Sequence, residues 1–129
     1  MDKEEEEAIM KKFLPAIYKI CSNKIRAGII HMLFKSAATM HSAGVEQLSF
    51  KMGIRPSVCI YHLERLERWK LVEVRKAEKH GTSTRRSIWG LNLKYPNWVL
   101  ECYKAIRLHF FSEDELNEIT NKNKSRRKS

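Results

Sequence analysis

Between Val45 and Leu93 the spacing of apolar residues changes repeatedly, and each change predicts an element. Val45, Leu48 and Met52 recur at helical spacing and predict a short helix over 45–52. Gly53 follows, a residue suited to the left-handed conformation that ends helices. Pro56 suits the first turn of a second helix, running to Trp69, with Cys59, Ile60, Leu63 and Leu66 facing the body. Leu71-Val-Glu-Val74 then alternates like a half-buried strand, and Ile88-Trp-Gly-Leu-Asn-Leu93 predicts a second one after a polar loop, Arg75 to Ser87. Two short helices joined by a glycine-containing turn, then a hairpin with a basic loop, is the order of a winged helix-turn-helix.

The flanks read as helices. Ile9, Phe13, Ile17 and Ile20 predict a first helix over residues 4 to about 20, its glutamates in the first turn where the helix dipole favours them. Pro15 should kink or divide it. Ser22-Asn23 predicts a cap for a helix over 24–35, followed by a small, polar loop over 36–44. After the turn signal Lys94-Tyr-Pro-Asn97, the broad apolar face of Trp98, Val99, Cys102, Tyr103, Ile106 and Phe110 predicts a helix over 98–111. A capping box at Ser112-Glu-Asp-Glu115 predicts a further short helix. Residues 121–129 have no apolar side chain and five positive charges, and read as a disordered basic tail. The expected class is therefore α+β, mostly α, with a small antiparallel wing and extra terminal helices. It forms one domain over residues 1–120 with its core at 22–93.

Charge sharpens this picture. The net charge is +10, and residues 51–129 hold eighteen Lys/Arg against nine Asp/Glu, whereas residues 1–50 hold seven against six. A basic half of this kind is the electrostatic footprint of a protein that meets phosphates, although a solvated basic surface would look the same. No apolar run reaches the roughly 20 residues that span a bilayer, and the acidic start resembles no targeting peptide, so a cytoplasmic location without membrane contact is expected. Cys21, Cys59 and Cys102 stand too far apart for a zinc motif or a disulfide framework and read as buried thiols. His31 reads as a surface or satisfied core residue. No phosphate loop, metal-ligand spacing or nucleophile-base motif points to catalysis or a cofactor.

The helix from Pro56 carries the candidate chemistry. Ser57, Val58, Tyr61, Arg65 and Arg68 project away from the apolar face, with His62 at its flank and Arg55 just ahead. Hydroxyls suit phosphates or bases, an arginine can bridge guanine O6 and N7, and a valine can touch a thymine methyl. The alternative is that Arg65 and Arg68 pair with Glu64 and Glu67 on a solvated face. The loop adds Arg75, Lys76, Lys79, His80, Thr82, Arg85 and Arg86, which suit the phosphate backbone or a minor groove.

The run Ser57-Val-Cys-Ile-Tyr-His-Leu-Glu-Arg-Leu66, followed by Trp69-Lys-Leu-Val-Glu-Val74, resembles the recognition helix and first wing strand of ArsR-like regulators. The resemblance covers residues 22–93. It implies a transcription regulator that binds DNA as a two-fold dimer, with Ser57, Val58, Tyr61 and His62 at DNA-contacting positions and Leu63 and Leu66 at packing ones. Metal-sensing members carry a Cys-x-Cys pair where this chain has Leu48-Ser-Phe50, so metal sensing does not carry over.

The expectation is a double-stranded-DNA-binding regulator acting as a homodimer. The rivals are an architectural nucleic-acid binder with little sequence preference and a winged helix used for protein contacts. Ile9, Phe13 and Ile17 with Trp98, Cys102, Ile106 and Phe110 are the expected dimer face, since they exceed what one small core covers; packing of the terminal helices within one chain is the alternative. Nothing in the chain specifies a small-molecule effector, a promoter or the direction of control.

Overall fold

The computed structural model describes residues 3–76, 87–110 and 113–120. In chain order these form α1 (Lys3–Phe13), α2 (Ile17–Cys21), α3 (Lys24–Lys35), β1 (Ser42–Gly44), α4 (Val45–Met52), α5 (Pro56–Arg68), β2 (Val72–Lys76), β3 (Ile88–Leu91), α6 (Pro96–His109) and α7 (Glu113–Ile119). The class is α+β, mostly helical, with one small antiparallel sheet.

Local chemistry accounts for most of the boundaries. Pro15 sits in a 3-10 turn, Leu14–Ala16, that divides α1 from α2. The Asn23 side chain caps α3 by accepting from Arg26 N at 3.0 Å. At the far end of α3, His41 Nδ1 lies 3.2 Å from Leu33 O and 3.1 Å from Phe34 O, where it can satisfy the last carbonyls. Gly53 closes α4 at φ 66°, and Pro56 opens α5.

The strand order is β1-β3-β2, antiparallel throughout. Val72 faces Leu91 and Val74 faces Trp89, with an irregularity between Val74 and Lys76. Strand β1, which the sequence reads as loop, is too short and too small in its side chains to show an alternation. Its pairing of Ala43 with Trp89 makes it a strand. Helix α3 is central and packs against α4, α5, α6 and α7, burying Ala27, Ile29, Ile30 and Leu33. His31 is buried there, its Nδ1 2.9 Å from Tyr103 Oη and its Nε2 3.1 Å from Asn117 Oδ1.

The terminal helices pack on each other within one chain, which corrects the expected dimer face. Trp98, Cys102, Ile106 and Phe110 are buried in the core, and Ile9, Phe13 and Ile17 are half-buried against it. The ring of Phe13 stacks on Trp98 at 6.4 Å, and Cys21 Sγ meets Cys102 Sγ at 3.9 Å. The acidic start of α1 has a specific task. Glu6 is buried, its Oε2 accepting from Asn97 N at 2.9 Å and its Oε1 from Asn97 Nδ2 at 2.8 Å, so one helix supplies the N-terminal cap of another. Glu5 accepts from Tyr95 Oη at 2.7 Å beside Lys94 Nζ at 3.4 Å. The Tyr95 hydroxyl and the Lys94 ammonium hold its carboxyl below the usual range.

Candidate nucleic-acid interface

Helix α5 is amphipathic, as its spacing predicts. Cys59, Leu63 and Leu66 are buried, Ile60 half-buried, and Arg55, Ser57, Val58, Tyr61 and Arg68 exposed, with Arg65 half-exposed. Burial pushes the Cys59 thiol up to about 12, so it stays protonated and unreactive. Arg65 Nε donates to Tyr61 Oη at 2.9 Å, and its guanidinium lies 5.2 Å from the Tyr61 ring centroid. Among the described residues neither Arg65 nor Arg68 forms an ion pair with Glu64 or Glu67. The solvated-pair alternative therefore does not describe this face.

Two expected contact residues are placed elsewhere. His62 is buried, not turned outward, because α3 brings a cation to it: Arg26 Nε donates to His62 Nδ1 at 3.3 Å. Burial first, then the positive neighbours Arg26 and Arg65, hold the imidazole below its ordinary value, so it is neutral at pH 7 and its Nδ1 is free to accept.

Arg75 lies across the outer face of the sheet over Gly90. Its Nη1 donates to Met40 O at 3.1 Å, its Nη2 to Leu91 O at 2.8 Å, and its Nε is 2.9 Å from Glu73 Oε1. A Cβ on residue 90 would sit 2.7 Å from the Arg75 Cζ, so any side chain there would displace the guanidinium. Arg75 is thus a structural residue. Lys76 is exposed at the end of β2, whereas Lys79, His80, Thr82, Arg85 and Arg86 lie outside the described residues, as does the 121–129 tail.

No protein-family model matches the chain, and no curated protein or solved structure matches it. The resemblance to ArsR-like regulators rests on the residues quoted for it. Function has to be argued from what α5 and its neighbours can do.

Sequence reasoning missed Arg26. It is buried, with its guanidinium 5.1 Å from the Trp69 ring centroid, and Trp69 O in turn accepts from Trp98 Nε1 at 2.7 Å. His62 and Arg65 on α5 and Trp69 at its C-terminal cap stand three and four residues apart, so Arg26 meets a single ridge of that helix. Burial and the charge of Arg65 lower its pKa, although a guanidinium stays protonated at any physiological pH. A signal was available: Arg26 falls three and four residues before Ile29 and Ile30, a cation on the inward stripe of α3.

Among the described residues no group of three or more His, Cys, Asp or Glu side chains could hold a metal. No helix among them is long and apolar enough to cross a membrane.

Proposed function

We propose that the protein is a sequence-specific regulator of transcription that binds double-stranded DNA, a winged helix-turn-helix with α4 and α5 as its helix pair and β2–β3 as its wing. The observation that carries the reading is the outward face of α5. It offers a hydroxyl, a small apolar group, a phenol and two arginines, and among the described residues no carboxylate neutralises either arginine. The element order supports it: helix, strand, two helices across a short turn closed by Gly53, then two paired strands.

In this reading α5 enters the major groove. Arg65 is steadied through Nε by the Tyr61 hydroxyl and keeps its terminal nitrogens for the duplex, one for a guanine edge and the other for the backbone. Val58 is placed for a thymine methyl, and Ser57 and Arg55 for phosphates at the start of the helix. The basic strand ends and tail add salt-dependent attraction. Two-fold pairing on a palindromic site remains part of the proposal. Its contact would use outward residues of the terminal helices, such as Tyr18 and Leu108, and not the buried ones.

Selection of bound sequences from random duplexes tests the reading. An enriched motif, bound roughly 10³-fold more tightly than random duplex, is expected. Arg65→Ala should cost about 1–3 kcal/mol on the selected site and relax preference at particular base pairs. Salt-dependent binding without enrichment would indicate an architectural binder. No duplex binding at all would leave a protein-contact module.

A further inference from the structure

We infer that Arg26 and Arg65 together form a binding site for one phosphate group, at the seam where α3 meets α5. The DNA-binding proposal enters only as the source of that phosphate.

Buried guanidinium groups normally have an acid beside them, because removing a charge from water without a partner is costly. Arg26 is only 8% exposed; its Nε donates to a neutral imidazole, its guanidinium lies over an indole ring, and the charge of Arg65 acts on it from the same ridge. Among the described residues no carboxylate pairs with it. Its two terminal nitrogens have no hydrogen-bond partner among the described residues, yet they are not sealed from solvent. The group is also aimed. The bond from Nε to His62 and the stack on Trp69 fix the plane of the fork, so little side-chain entropy remains to be lost on binding. Arg65 is prepared in the same way, with Nε held by Tyr61 and its terminal nitrogens without a partner among the described residues.

Two such cations on one ridge repel each other, and a shared anion removes the conflict. A carboxylate keeps its acceptor sites in one plane, which best suits a single guanidinium fork. A tetrahedral phosphate spreads its oxygens out of plane and can serve two forks. The ligand class is therefore a phosphate group, either of a nucleic-acid backbone or of a free phosphate compound.

Two measurements on the full chain decide the matter. Thermal unfolding in sodium phosphate is compared with sodium chloride of equal ionic strength. Phosphate should raise the Tm of the wild type and leave Arg26→Met unmoved; Met keeps the apolar stem over Trp69. Should Arg26→Met not fold, Arg65→Met, altered at a half-exposed position, carries the same test. Duplex affinity is also measured against salt. Either variant should flatten the log–log slope by about 0.9, roughly eightfold weaker binding at 0.1 M salt. Arg26→Met should lose this equally on all sequences. An arginine that only braced α5 would not change that slope.

A change in slope identifies the phosphate as the duplex backbone. A phosphate-specific Tm shift with no slope change, or with no duplex binding by the wild type, keeps the site and assigns it to a free phosphate compound, while the DNA reading falls separately. No phosphate-specific shift together with an unchanged slope, or with no duplex binding, overturns the inference.

Discussion

Arg75 on the outer face of the sheet and Arg65 on α5 come from the same basic stretch of chain and contribute equally to its charge. The guanidinium of Arg75 is taken up by two backbone carbonyls and by Glu73, and it lies where residue 90 has no side chain. That of Arg65 is held at one nitrogen by Tyr61, and its charge acts on Arg26 at the seam with α3. One arginine holds the fold together and the other is kept available. Counting charge along a sequence cannot separate these states, because the difference lies in acceptors brought from distant elements. The same contrast runs through α6, where Ile106 is fully buried and Leu108 is 77% exposed.

The sharpest way to break the comparison is to charge both α6 residues. Ile106→Glu places a carboxylate in a closed apolar site and should cost on the order of 4 kcal/mol, enough to unfold the domain in a denaturant titration. Leu108→Glu should change stability by no more than about 0.5 kcal/mol. If the proposed dimer uses this outward face, sedimentation at micromolar concentration should show Leu108→Glu as a monomer and the wild type as a dimer. A wild-type monomer would remove the two-fold part of the proposal.

A smaller effect separates Arg75 from Arg65. Arg75→Ala should lose about 1–2 kcal/mol of folding stability, since two carbonyls lose charged donors on a partly solvated face. Duplex affinity should barely move. Gly90→Ala should act on the same contact by pushing the guanidinium off the sheet. The double variant should therefore cost little more than either single one. Additive losses would mean that the contact over Gly90 contributes little. A large loss of duplex affinity in Arg75→Ala would return that residue to the interface.

Most of the element order was legible in the sequence, for local reasons. Proline at 15 and 56, glycine at 53 and asparagine at 23 act within a turn of their own positions. The apolar spacing of α5 gave its buried and exposed sides. What was not legible depends on partners far along the chain. The strand at Ser42–Gly44 exists through β3, Glu6 caps a helix ninety-one residues away, and Cys21 meets Cys102 across eighty-one. The candidate site divides in the same way. Ser57, Val58, Tyr61, Arg65 and Arg68 were found by spacing, while Arg26 and the inward turn of His62 arise from the α3–α5 contact.

The smallest expected effect tests that contact through pH. His62 Nδ1 accepts from Arg26, which requires an unprotonated nitrogen, and burial with Arg26 and Arg65 nearby lowers its folded pKa from the ordinary 6.5. The unfolded chain therefore takes up the proton first as pH falls, and in that interval it binds more protons than the native state. Stability must then rise with pH. The contribution is fully present above the ordinary value and is lost as pH falls from 6.5 toward the lowered folded value. His31, His41 and His109 also lie in the described fold, so the acid response of the wild type alone cannot be credited to His62. His62→Gln offers an uncharged side-chain oxygen that can still accept from Arg26 and cannot titrate. Urea titrations of both proteins at pH 7.5 and 5.5 isolate the effect by difference. The variant should lose less stability on acidification than the wild type. Equal losses would show that the imidazole does not depend on its neutral form, and that the hydrogen bond from Arg26 contributes nothing to holding α5 against α3.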